Sequence, residues 1–294
     1  MTGSARAPDP AGGDPAGGDP AGGTATAGGP ASGPAPVLVT GAAGRVGAVL
    51  RAGLPALGWR LRPLDLRPLP DEPDAVRADI HDPAALAAAM AGAGAVVHLA
   101  GLPREASWTA TLNVNIDSTY RVFEAARQAG VPRIVYASSN HAVGFTPRQP
   151  LVGVDIPPRP DTLNGLSKCF GEALARLYVD KYGMQVACLR IGSCFPKPTT
   201  PRQLSTWISP ADTVRLVHAC LSAPHLGYAV VYGISANTRG WWDLRPGRAL
   251  GFDPADNAEA YAAEVLAADG EPDPADPEHA YLGGKSVRDI PPPG

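Results

Sequence analysis

Cysteine is scarce. There are four in 294 residues, Cys169, Cys188, Cys194 and Cys220, and no two form a Cys-x-x-Cys pair. That argues against a disulfide framework and, with no histidine cluster beside them, against a zinc site. Free, buried thiols in a reducing cytoplasm are expected, with no metal. Charge of one sign is also missing. The 25 Lys and Arg and 28 Asp and Glu are mixed along the chain, for a net charge of -3, and no basic block marks a nucleic-acid partner. Long hydrophobic runs are absent too. Residues 84–102 are apolar apart from His98, but Ala and Gly dominate them and Gly92 and Gly94 interrupt them. They predict a short helix, a turn and a buried strand, not a membrane span. No apolar segment follows Met1, so no secretory leader is expected.

Residues 1–35 are almost all Ala, Gly, Pro, Asp, Ser and Thr, and the pentad Asp-Pro-Ala-Gly-Gly starts at Asp9, Asp14 and Asp19. So little apolar surface cannot offset the entropy of ordering the chain, and the segment reads as a disordered tail. The remainder suits one large domain with a small appendage.

From residue 36 onward strands alternate with helices. Apolar runs predict strands at 37–40, 59–65, 75–78, 95–99, 133–138 and 185–191. Helical spacing covers 45–57, 83–91, 113–129 and 165–182. Asp82 and Pro83 suit the start of the second helix; Gly130 and Gly183 stop the third and fourth. Such alternation predicts an α/β fold, a Rossmann-type doubly wound parallel sheet over 36–192. Residues 193–270 are irregular and Pro-rich, with helices at 211–222 and 257–268 and a strand at 230–232. They read as a small C-terminal substrate-binding cap interleaved with the core, followed by a tail at 271–294. Ligands of open α/β sheets bind beyond the carboxyl ends of the strands.

The first strand runs into Gly41-Ala42-Ala43-Gly44-Arg45-Val46-Gly47. Glycines allow a tight turn, close approach to a pyrophosphate and packing of helix on strand, and the helix N-terminus then presents free N–H groups. Asp65 ends the second strand, where a carboxylate accepts from both ribose hydroxyls and repels a 2′-phosphate. NAD is therefore favoured, although Arg45, Arg62 and Arg67 leave NADP open. Asp79-Ile80, at the end of the third strand, could hold the adenine.

These residues, with His98-Leu99-Ala100-Gly101, Asn115, Ser138-Ser139 and Lys168, fall in the order of an extended short-chain dehydrogenase/reductase. Further stretches narrow the match: ASSNHAVGF (137–145), LSKCFGE (166–172), RIGSC (190–194), LSTWIS (204–209), VVYGISAN (230–237), GWWD (240–243) and DNAEA (256–260). Over residues 37–261 the chain resembles the uronate dehydrogenases. The resemblance implies oxidation of a hexuronic acid, glucuronate or galacturonate, at its anomeric carbon to an aldaric lactone. It places Leu99, Ala100, Gly101, Asn115, Ser138, Lys168 and Ile191 at the cofactor. It places Ser139, Asn140, His141, Ser193 and Arg202 at the sugar, with Arg202 as the carboxylate partner. A homo-oligomer built on the helices at 113–129 and 165–182 is also implied.

The chain departs from that family at one catalytic position. The family's general base is a tyrosine four residues before the lysine, and here that position is Asn164. An amide does not titrate, and loss of a positioned base costs about 10²–10⁴-fold in rate. Two roles are open to His141: to take the proton through a water ordered by Asn164 and Ser139, because an imidazole titrates near neutrality, or only to hydrogen-bond the sugar, as the family likeness implies. Tyr136 sits inside a strand and is expected to pack in the core. Pro103-Arg104 stands where the family has a small polar contact, which would alter sugar preference. Two other readings stay open: an NAD-binding pseudo-enzyme with a regulatory or scaffold role, and a sugar epimerase or dehydratase. The latter needs the same tyrosine and a larger cap.

Overall fold

The structure, a computed structural model, describes Gly3 and residues 34–290; nearly all of the repeat-rich N-terminal segment lies outside the described residues. Among the described residues nine strands occur: β1 (Val37–Thr40), β2 (Leu61–Asp65), β3 (Val76–Arg77), β4 (Ala95–His98), β5 (Arg133–Ser139), β6 (Gln185–Ile191), β7 (Ser193–Cys194), β8 (Trp207–Ile208) and β9 (Tyr228–Gly233). The α-helices are α1 (Arg45–Gly53), α2 (Pro83–Met90), α3 (Trp108–Thr111), α4 (Ser118–Gln128), α5 (Leu163–Tyr182), α6 (Gln203–Thr206), α7 (Pro210–Ser222), α8 (Arg245–Ala249), α9 (Ala262–Asp269) and α10 (Pro277–Ala280). Among the described residues no helix is long and apolar enough to cross a membrane.

The main sheet has seven parallel strands in the order β3-β2-β1-β4-β5-β6-β9, as the α/β alternation predicts. Both of its faces are buried, which is why β1 and β4 are continuous apolar runs. Side chains alternate between two layers. Val37 and Val39 meet Leu50 and Leu54 of the α1 region and Leu216 and Val217 of α7. Leu38 and Val96 meet Leu86 and Met90 of α2 and Val122 and Phe123 of α4.

Helix starts follow local chemistry. Asp82 accepts from the amides of Ala84 and Ala85, Thr162 from that of Gly165, and Ser209 from that of Asp212. The helix expected at 113–129 begins earlier, at Trp108 under a Ser107 cap, and passes through a π-helical turn at Leu112–Asp117. Within the region expected to be a cap, α7 and β9 belong to the core: α7 packs against α1, and β9 is the sheet's edge strand beside β6. The segment expected to be a C-terminal tail is folded to residue 290. Leu282 is fully buried against Trp241, Trp242 and Val143.

Candidate active site

Strand order reverses between β2 and β4, with β1 in the middle, so a crevice opens beyond their carboxyl ends. A cleft of about 880 Å³ runs from there across the ends of β5 and β6. Its first wall is the glycine loop. Gly41 has φ +69°, and a Cβ there would lie 2.6 Å from the Ala100 nitrogen; a Cβ on Gly47 would lie 2.5 Å from the Ala42 oxygen. The loop is thus a bare backbone cradle into which no side chain fits, opening on the first turn of α1. Its Ala43 amide donates to Asp65 Oδ2 at 2.9 Å, and Asp65 Oδ1 accepts from the Arg67 amide at 2.9 Å. The carboxylate therefore stands fixed beside the phosphate loop, where a ribose would lie. The cradle and the acid together fit a dinucleotide.

Of the expected cofactor residues, Gly41, Gly44, Arg45, Val46, Gly47, Leu99, Gly101, Ser138, Lys168 and Ile191 line the cleft. The others do not. Asp79 is engaged by His81, through its amide at 2.9 Å and its Nδ1 at 2.9 Å. That holds the Asp79 carboxyl below its usual range, first through the amide bond. Ile80 packs in the layer with α2 and α4. Ala100 backs the loop from behind Gly41. Asn115, on the π-helical turn, works through the backbone: Oδ1 accepts from the Leu102 amide at 2.6 Å and Nδ2 donates to Ser167 Oγ at 3.1 Å. It fixes the Gly101-Leu102 loop without facing the cleft itself.

Lys168 reaches the cleft from α5. Burial lowers its ammonium to about 8, and Nζ lies 5.3 Å from the centre of the Tyr136 ring. Tyr136 is 1% exposed and packs against His98 and Phe123, in the core as expected. Ser138 donates to Glu172 Oε1 at 2.6 Å, and Arg190 grips the same carboxylate from β6 at 2.9 Å. This buried pair sets the end of β5.

Of the expected sugar residues, Ser139, His141 and Ser193 line the cleft. Asn140 and Arg202 do not. Both donate to the carbonyl of Leu282, Asn140 Nδ2 at 3.0 Å, and Arg202 also reaches the Tyr281 carbonyl. They clasp the C-terminal segment, which brings Lys285, Ser286 and Asp289 to the cleft. Arg202 still lies close behind the sugar end: its carbonyl accepts from Thr206 Oγ1, which is 3.0 Å from Ser193 Oγ. Burial lowers the Arg202 guanidinium to about 10, and its hydrogen-bond partners are uncharged carbonyls.

Two acids missed by sequence reading stand at the N-terminus of α5. Glu105 accepts from the amides of Leu163 and Asn164 at 3.1 and 3.4 Å. Asp161 meets His141 Nδ1 at 2.9 Å. The Thr162 cap was the available signal for both, since it fixes where free helix N–H groups and their acids must gather. The Asn164 amide donates to the Leu102 carbonyl at 2.9 Å, and its Oδ1 is buried without a partner.

A parallel sheet with a glycine phosphate loop at its switch point, an acid at the end of β2 and a lysine facing the loop across the cleft defines a dinucleotide-binding protein of the short-chain dehydrogenase/reductase type. The chain belongs to the NAD dependent epimerase/dehydratase family, whose profile matches residues 37–216. It is 47% identical over 254 residues to a uronate dehydrogenase of Agrobacterium fabrum, covering 85% of this chain and 96% of that one. It is 41% identical over 256 residues to an NAD-dependent glucose-6-phosphate dehydrogenase of Haloferax volcanii, covering 78% and 96%. Among solved structures it superposes on a tyrosine-to-alanine variant of uronate dehydrogenase from Agrobacterium tumefaciens complexed with NAD. There the TM-score is 0.82, with 46% identity over 86% of this chain and 97% of that one.

Proposed function

We propose that this protein is an NAD-dependent dehydrogenase that oxidises a hexuronic acid, glucuronate or galacturonate, at the anomeric carbon to the aldaric lactone. One observation carries the reading: a single cleft joins the Gly41–Gly47 cradle to Lys168, Ser139, His141 and Ser193. Its likeness to uronate dehydrogenases over most of the chain supports it. When bound, NAD supplies the hydride acceptor. The chain's own groups do the rest. The loop and the α1 N-terminus receive the pyrophosphate, Asp65 accepts from the adenosine ribose and Lys168 donates to the other ribose. Ser139 and Ser193 hold sugar hydroxyls. Arg202, whose guanidinium clasps the Tyr281 and Leu282 carbonyls behind the sugar end, would meet a uronate carboxylate only on leaving that clasp. Exposed Trp108, Leu112, Tyr120, Leu166 and Leu177 along α3–α5 support a homo-oligomer on that face, and four free thiols accord with a cytoplasmic site.

A second reading, cofactor binding without turnover, rests on Asn164 alone. Both readings meet one experiment: purified protein is incubated with NAD and each uronate while NADH absorbance is followed, and the assay is repeated with Asn164→Tyr. Turnover by the wild type is the expected result. Turnover only in the tyrosine variant would support the second reading, and none in either would overturn the substrate assignment.

A further inference from the structure

Asn164 leaves the cleft without a phenol, and the structure pairs His141 with a partner that suits it to proton transfer. The Asp161 side chain is 0% exposed and His141 26%, so only the ring of the pair opens on the cleft. Both Asp161 oxygens lie within hydrogen-bond distance of His141 Nδ1, at 2.9 and 3.0 Å. A Cβ on either Gly144 or Gly283 would collide with that carboxylate, so two glycine backbones clamp it. A Cβ on Gly165 would collide with the His141 carbonyl, so the histidine is seated against the first turn of α5. A carboxylate at Nδ1 selects the tautomer with its lone pair on Nε2 and stabilises the imidazolium that forms when Nε2 takes a proton. In the same first turn, Asn164 is held by the bond from its Nδ2 to the Leu102 carbonyl.

We infer that His141 is the proton acceptor of the oxidation, taking the proton through one water, and that Asp161 is its positioning residue. This rests on the uronate reading above. The C1–H bond breaks and its electron pair leaves with the hydrogen for oxidised NAD, while C1–O becomes a carbonyl. The hydroxyl proton passes to the water, which gives one of its own to His141 Nε2. Asp161 keeps its charge throughout. Glu105 is the rival base, but both of its oxygens are committed to backbone amides at the start of α5. Lys168 and Glu105 share the cleft with His141, while Cys169 and Arg202 lie within electrostatic reach of Asp161.

The test combines kinetics with nitrogen-15 spectroscopy of the NAD-free protein. His141→Gln should lower kcat about 10²–10⁴-fold, with NAD affinity unchanged. Asp161→Asn, which keeps the shape between the two glycines, should lower kcat with little change in KM. It should also move the ring proton off Nδ1, a signal that a merely structural role would not shift. A His141→Gln protein within about threefold of wild type overturns the inference, as does a wild-type ring carrying its neutral-state proton on Nε2. Wild-type protein that forms no NADH from either uronate sinks the parent reading; turnover that survives His141→Gln sinks the pair alone.

Discussion

Glu172→Gln tests the buried pair that sets the end of β5. The Glu172 and Arg190 side chains are 8% and 4% exposed, and they meet through two bonds of 2.9 Å. Arg190 Nη1 also donates to the Val154 carbonyl at 3.0 Å. The amide keeps the shape of the carboxylate but leaves the guanidinium buried without a counter-charge. Breaking such a pair from one side costs about 3–5 kcal/mol. At about 2–4 °C of Tm per kcal/mol for a domain of this size, Tm should fall by roughly 6–20 °C. An exposed control is at hand: Arg176 and Asp180 pair at 2.7 Å with side chains 59% and 54% exposed, so Asp180→Asn should cost no more than about 0.5 kcal/mol. Replacing both partners by Glu172→Leu and Arg190→Met should recover much of the loss, because no charge is then stranded. Urea unfolding of the single and double variants closes the cycle. A Glu172→Gln protein within about 1 kcal/mol of wild type would refute the reasoning.

Two pH dependences follow from buried groups. Lys168 titrates at about 8 because of burial, so it is charged below that pH, and NAD affinity should weaken as pH rises through it. Calorimetric titration with NAD on either side should show the drop in wild type and none in Lys168→Met; a flat wild-type profile would count against the lysine's role. His98, which is 1% exposed, falls from 6.5 to about 3, first through burial and then through the charge of Lys168. Unfolded His98 takes up a proton below 6.5 and the folded form only near 3, so its contribution is intact above 6.5 and is lost as pH falls through that window. At about 1.4 kcal/mol per pH unit the whole window is worth about 5 kcal/mol. Urea midpoints of His98→Gln should therefore fall less steeply with acid than those of wild type; parallel curves would contradict this.

The glycine cradle was legible because its requirements are local: Gly41 needs a positive φ, and the Ala100 and Ala42 backbones sit where a Cβ would be. The β1, β5 and β6 boundaries were legible for a similar reason, since the apolar cores of these buried parallel strands lie between turn residues. What failed to show depends on distant partners. Asn140 meets Leu282 across 142 positions, and nothing in a Pro- and Gly-rich terminus signals that its carbonyl will bind a buried amide and a guanidinium. Asp161 gains its meaning only when Gly144, Gly283 and His141 close around it. The start at Trp108 was hidden because that ring is 48% exposed and breaks the apolar spacing of the helix.

The central claim is that bound NAD is reduced by hydrogen from the anomeric carbon of a uronate. Wild-type protein supplied with NAD and galacturonate deuterated at C1 tests it directly, with the mass of the recovered cofactor as the readout. NADH carrying one deuterium beside an unlabelled lactone is the expected result; unlabelled NADH, or no NADH at all, would contradict hydride transfer from C1.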